Sequence, residues 1–175
     1  MELKDLNGEV KKVFNKLNQL IKENQFALQV GFFQGQKHNP RKHKTKEGGI
    51  KAQDKPAKTV GMAQLAYWLE YGTNDGKIPP RPFFRNTVEK RSKEWLDFIV
   101  KELKDTNLQI KKSINNLGSK IQGNLQKEIV DLQEPPNAPS TIKQKGRSNP
   151  LIDTGEMRDS VKFQKKDFNN DTFKL

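Results

Sequence analysis

From Glu2 to Asn24 the apolar residues Leu3, Leu6, Val10, Val13, Phe14, Leu17, Leu20 and Ile21 recur every three or four positions, which places them on one side of a helix. The spacing predicts an amphipathic helix that ends at Asn24 or Gln25. Phe26, Leu28, Val30 and Phe32 then alternate with Ala27, Gln29, Gly31 and Phe33, the two-residue period of a half-buried strand over 26–33. Gly31 within it is open to three readings: a bulge, a close approach of another backbone, or an ordinary strand glycine. Between Lys37 and Lys58 no period survives. Asn39-Pro40, Gly48-Gly49 and Lys55-Pro56 punctuate the stretch, and a mobile loop is expected over about 36–57.

Thr59 is placed to cap a helix from Val60 to Tyr71. Val60, Ala63, Tyr67 and Tyr71 fall on one side of it, and Leu65, Trp68 and Leu69 widen the apolar face, so the helix is expected to be mostly buried. Gly72 closes it, since only glycine enters the left-handed region without a Cβ clash. Pro79, Pro80 and Pro82 then fix three φ angles, with Pro82 in the first turn of the next helix, where a missing N–H costs nothing. The stretch reads as a rigid corner. Glu70 sits badly for its own helix dipole, so a cationic partner is expected across the turn, either Arg81 or Arg85.

A long helical pattern follows. Val88, Trp95, Phe98, Ile99 and Leu103 form one stripe; Ile110, Ile114, Leu117, Ile121, Leu125, Ile129 and Leu132 form a second. Asp105-Thr106-Asn107 between them predicts a break, hence two helices in the segment at about 83–133. The second helix is expected to pack on the first or to serve between subunits, and Gly118 and Gly123 are expected to let another helix approach closely. Glu134-Pro135-Pro136-Asn137-Ala138-Pro139 makes a stiff linker. Ser140 or Thr141 caps a short helix stopped by Gly146; Leu151-Ile152 enter the core; Asp153-Thr154-Gly155 form a turn or cap before a helical turn over 156–159. Ser160 to Gln164 predicts a strand antiparallel to 26–33, and the residues beyond it, with Phe168 and Phe173, a second edge strand or a tail. The elements add up to an α+β fold: a small antiparallel sheet of three or four strands packed with an N-terminal helix and two long helices, in a single structural domain over 1–175.

Composition sharpens this picture. Of 175 residues 32% are hydrophobic and 31% charged, with a mean hydropathy of −0.94, so the core should be small for the length and stability should lean on partner subunits. A formal charge of +12 and a pI near 9.8 favour acidic partners. Half of that charge comes from 37–58, where Lys37, Arg41, Lys42, Lys44, Lys46, Lys51, Lys55 and Lys58 face only Glu47 and Asp54. The loop is a solvated surface or a basic arm that touches DNA or an acidic neighbour; without aromatic residues it offers no stacking platform for single strands. With no cysteine, disulfides and thiolate metal sites are excluded. No stretch approaches the ~20 apolar residues of a membrane span, and no apolar run follows a basic start, so a soluble protein made inside the cell is expected.

The sequence offers little reaction chemistry. His38 and His43 are the only histidines, and both fall in the basic loop. No phosphate-cradling glycine loop, nucleophile elbow or dinucleotide fingerprint is present. Asp153 and Glu156 could hold a magnesium ion for a nuclease, but no third carboxylate keeps step with them and capping accounts for both. Neither catalysis nor a metal nor any other cofactor is expected.

Two blocks carry a family resemblance. Ala66-Tyr67-Trp68-Leu69-Glu70-Tyr71-Gly72-Thr73 with Ile78-Pro79-Pro80-Arg81-Pro82-Phe83-Phe84-Arg85 is one; Pro135-Pro136-Asn137-Ala138-Pro139-Ser140-Thr141-Ile142, Lys145-Gly146, Pro150-Leu151-Ile152-Asp153-Thr154-Gly155-Glu156-Met157 and Ser160-Val161 is the other. In the same order, over roughly residues 26–167, they resemble the tail-completion or head–tail joining (neck) proteins of tailed phages. The resemblance implies a structural protein of the virion, assembled in the host cytoplasm. It implies a ring, a hexamer or higher, at the head–tail junction or the head-proximal tail end. Neighbouring neck, tail-terminator or tail-tube proteins would be its partners, with contact to packaged DNA and none to membrane. The motif residues are then Glu70, Tyr71, Gly72, Pro80, Arg81, Pro82, Phe83, Asn137, Pro139, Thr141, Asp153, Thr154 and Gly155, and the candidate contacts to DNA or a partner are Lys37, Arg41, Lys42, Lys44, Lys46 and Lys51. The competing reading is a free-standing basic protein that binds nucleic acid through 37–58.

Overall fold

The computed structural model describes residues 11, 12, 14–16, 18, 19, 26–37 and 60–167. Its elements are β1 (Phe26–Gly31), α1 (Met62–Tyr71), α2 (Phe83–Asp105), α3 (Ile110–Asp131), α4 (Pro139–Lys145), α5 (Glu156–Ser160) and β2 (Lys162–Asp167). The described positions between 11 and 19 are all helical; the rest of the helix predicted over 2–24 lies outside the described residues. The chain divides into two compact units, Met1–Gln29 with Gln164–Leu175, and Val30–Phe163. The fold is an α+β mixture whose sheet, among the described residues, is the antiparallel pair β1–β2. The further edge strand or tail expected near the C-terminus and most of the 36–57 loop fall outside the described residues. The expected Thr59-capped start of α1 at Val60 needs correction: the helix begins at Met62, with Gly61 at its N-cap position and no side-chain cap.

The core of the second unit is built from Met62, Ala66, Phe83, Leu125, Ile129, Leu132, Leu151, Met157 and Val161. Each of these side chains except that of Ala66 contributes about 1.5–3 kcal/mol when fully buried. Val30, Phe32, Leu65, Leu69 and Ile152 pack around them, and Phe32 meets Phe83 edge to face at 6.2 Å between ring centres. Here the expected burial of α1 needs correction. Met62, Ala66 and Glu70, at i, i+4 and i+8, line its inner face, while Ala63, Tyr67 and Tyr71 point outward. With an apolar face this wide, periodicity does not choose which edge enters the core. The choice falls to Met62 and Ala66, which fit against Phe83 and the end of α3, and to the use made of Glu70.

α2 and α3 form a hairpin, joined by Thr106–Gln109. The break falls where the weak helix formers predict it, and Asn107 and Leu108 turn the chain with φ of 48° and 62°. Several polar contacts cross between the helices. The Trp95 indole donates to Asn124 Oδ1 at 2.8 Å, Asn116 donates to Glu102 at 2.9 Å, and Lys120 and Lys90 pair with Glu94 and Glu128 at 2.7 and 2.6 Å. Fully buried apolar side chains of the hairpin concentrate at one end, Phe83 of α2 with Leu125 and Ile129 of α3; Thr87 is buried near them, and Ser113 and Gly118 are buried further along α3. Val88, assigned to the inner stripe by its spacing, is exposed.

Gly118 does accept a close neighbour, but not the helix expected. A Cβ there would stand 2.4 Å from the Phe163 ring, so the glycine seats an aromatic side chain from β2, and around Gly123 the space is open. Two other local expectations shift. α4 begins at Pro139 as its first residue, with no side-chain cap from Ser140 or Thr141, because a proline needs no N–H partner there. β2 starts at Lys162, and Val161 is buried in the core at the end of α5 rather than alternating in the strand. Gly146 ends α4 in the left-handed conformation, as its position predicts.

Candidate functional site

The two sequence blocks meet in space. Gly72 ends α1 with its N–H on Trp68 O at 2.8 Å, and a tight loop follows in which Thr73 N–H donates to Ile78 O at 3.0 Å and Ile78 N–H donates to Thr73 Oγ1 at 3.1 Å. Gly72 has φ 79° and ψ −179°, and a Cβ there would fall 2.9 Å from Ile78 O and 3.1 Å from the Pro80 ring. Only glycine satisfies both the angle and the space. Beside it the Thr73 hydroxyl, then Lys77, holds the Asp75 carboxyl below its ordinary range. The prolines carry the chain back across the end of α1, where Arg81 N–H donates to Leu69 O at 2.7 Å.

From there Arg81 turns inward and is only 5% exposed. Its Nε donates to Pro135 O at 2.9 Å, and one Nη donates to Pro136 O at 3.2 Å and to Asn137 Oδ1 at 3.4 Å. Burial draws the guanidinium below its ordinary value, although an arginine keeps its charge at neutral pH. Asn137 passes the connection on: its amide donates to the carbonyls of Ser148 and Asn149 at 3.0 and 3.1 Å. One buried fork thus ties the proline corner after α1 to the linker after α3 and, through Asn137, to the loop before the Leu151–Ile152 segment.

Glu70 takes the other cation. Its carboxylate accepts Phe84 N–H at 2.9 Å and Arg85 N–H at 3.2 Å, the free donors at the start of α2, and pairs with Arg85 Nε at 2.9 Å. A carboxylate beside a helix N-terminus satisfies orphan N–H groups and the positive end of the helix dipole together. Arg85 also lies over the Tyr71 ring at 4.8 Å. Of the two arginines the sequence leaves open for Glu70, the structure uses Arg85 and frees Arg81 for the carbonyls. A shallow cavity of about 220 Å³ adjoins the group, lined by Phe32, Tyr67, Tyr71, Phe83, Phe84 and Arg85 around Glu70. Its one carboxylate is already committed to capping α2.

Asp153, Thr154 and Gly155 stand apart from the arginine fork. Gly155 starts α5 at φ 91°, Thr154 Oγ1 accepts Glu156 N–H at 3.3 Å, and the turn lines a cavity of about 170 Å³ with Leu65, Leu69 and Met157. Pro80 is exposed, Pro82 and Thr141 are half-buried, and Phe83 is in the core. Of the basic candidates only Lys37 is described: it is exposed and bridges to Gly61. Arg41, Lys42, Lys44, Lys46 and Lys51 lie outside the described residues, as do His38 and His43.

Two residues matter that the patterns do not reveal. Asn149 Oδ1 accepts the N–H groups of Leu151 and Ile152 at 3.1 and 2.9 Å, and its amide donates to Val130 O at 2.7 Å. The Asn149-Pro150 dipeptide is the local signal for that turn. Gln36 accepts Phe33 N–H at 2.9 Å and donates to Ser160 O at 2.8 Å, a long-range bridge no short-range rule encodes. Among the described residues no group of three metal-binding side chains occurs, and no helix is long and apolar enough to cross a membrane. No family model, curated protein or solved structure matches this chain.

Proposed function

We propose that this chain is a structural subunit of a tailed-phage virion, forming a ring at the head–tail junction or the head-proximal end of the tail. The reading rests on the resemblance of its two blocks to tail-completion and neck proteins, and one observation supports it: both blocks converge on Arg81 and Asn137, in a buried network of carbonyls and amides. Such a network fixes the relative placement of α1, α2 and the linker after α3. It holds no nucleophile paired to a base. In this reading shape is the function.

In that role the outer edges of β1 and β2, unpaired among the described residues, take the further strands of a three- or four-stranded sheet, from this chain or from the next subunit. Neighbouring neck, terminator or tube proteins dock on the ring, and Lys37 with the basic stretch after it reaches acidic partners or packaged DNA. Head-to-tail contacts close the ring. Electron microscopy of purified particles with an antibody against the chain tests this reading, together with microscopy of the recombinant protein. Label at the neck or tail end, with rings in the recombinant sample, supports it. Particles free of the chain would refute it.

A further inference from the structure

Six of the large apolar side chains left exposed in the described residues gather at the end of α1 and along α2: Tyr67, Tyr71, Phe84, Val88, Leu96 and Val100. Leu96 is 66% exposed and Val100 54%, although the seam that α2 turns to α3 is rich in amides and ion pairs. Beside this apolar band runs a row of charges. Glu89, Lys93, Asp97 and Lys101 follow at steps of four, all exposed, with alternating sign, and none of them forms an ion pair with a described residue.

We propose that α2 is the surface through which two copies of this chain pair, antiparallel, about a two-fold axis. The charge row selects this occupant. Reversed, the order minus, plus, minus, plus becomes its own complement, so an antiparallel second copy sets Glu89 against Lys101 and Lys93 against Asp97 on both sides of the axis. A parallel copy in register sets like against like, and a polyphosphate meets Glu89 and Asp97 with repulsion. The midpoint between 89 and 101 is residue 95, so Leu96 lies almost on the axis and packs on its own mate. Val88 and Val100 extend the apolar contact over about 18 Å of helix. The pairing goes beyond the ring reading and does not rest on it: an isologous pair closes on itself, whereas a ring needs head-to-tail contacts.

Sedimentation equilibrium on the full chain, with circular dichroism to verify folding, tests the pairing. The expected result is a concentration-dependent doubling of mass, of the single chain or of the ring where rings form. Leu96→Glu, a change at an exposed position, leaves the helix signal intact and abolishes that doubling. Lys93→Glu and Asp97→Lys each turn two attractive contacts repulsive and weaken the dimer about tenfold. Mixed in equal amounts, those two variants recover wild-type affinity, because every altered position then faces the opposite sign. A wild-type protein that shows no doubling at any concentration overturns the proposal. So does a doubling that is not recovered in the mixture, or that requires added duplex DNA. Rings that persist in the Leu96→Glu variant while the doubling is lost support a pair separate from the ring contacts; doubling that persists in that variant sinks the pairing and leaves the ring reading standing.

Discussion

Replacing Arg81 by methionine keeps most of the side-chain volume and removes the fork that joins the two sequence blocks. Three hydrogen bonds go, at 2.9, 3.2 and 3.4 Å. The longest is weak, and the Pro136 carbonyl belongs to an exposed residue that water can serve. Bonds from a charged donor contribute about 1.5–3 kcal/mol each, so roughly two effective bonds amount to about 3–6 kcal/mol. Against this, the variant no longer desolvates a guanidinium, which offsets part of the loss; a net destabilisation of about 2–4 kcal/mol remains. Urea unfolding followed by the fluorescence of Trp68 and Trp95 reads the change, and the thermal midpoint should fall by roughly 5–15 °C. Arg81→Lys should recover little of it, since an ammonium cannot span separate carbonyls as the planar fork does. In a double-mutant cycle with Asn137→Ala the two changes should fall short of additivity by more than about 0.5 kcal/mol. A loss below about 1 kcal/mol, or strict additivity, would show that the junction does not hold the blocks together.

Three further outcomes follow from particular contacts. Gly72→Ala combines a disallowed backbone angle with a Cβ 2.9 Å from Ile78 O, and should destabilise by about 3 kcal/mol in the same unfolding assay. Gly118→Ala drives a methyl into the Phe163 ring and should cost about 1–3 kcal/mol, whereas Gly123→Ala, in open space within α3, should stabilise by up to about 1 kcal/mol; equal effects would refute the assigned packing. The Glu94 carboxyl is held below its ordinary range by Lys120 first and Arg91 second. The stabilisation from Glu94 is therefore complete above the ordinary carboxylate range and is lost as pH falls through the lowered folded value. Lys120→Met should move that titration upward in a carboxyl-resolved NMR experiment, and an unmoved titration would count against the interhelical pair.

How much was legible in advance follows from the range of each interaction. Local chemistry announced itself: the glycines at 72 and 146 end helices, Asp105-Thr106-Asn107 breaks the long segment, the prolines at 79, 80 and 82 stiffen a corner, and the alternation over 26–33 makes a strand, which ends at Gly31. These depend on a residue's own φ/ψ preferences and its neighbours within a turn, which a sequence displays directly. Tertiary structure alone decided that Glu70 caps α2 through Arg85 while Arg81 crosses to Pro135 and Asn137, because both arginines lie equally well placed along the chain and only the path of the linker supplies carbonyls for one of them. It also turned Tyr67 and Tyr71 outward and Met62 and Ala66 inward, and gave the space at Gly118 to a phenyl ring from β2. Periodicity states that a helix has an apolar side; which part of that side is buried depends on volumes brought together from residues a hundred positions apart.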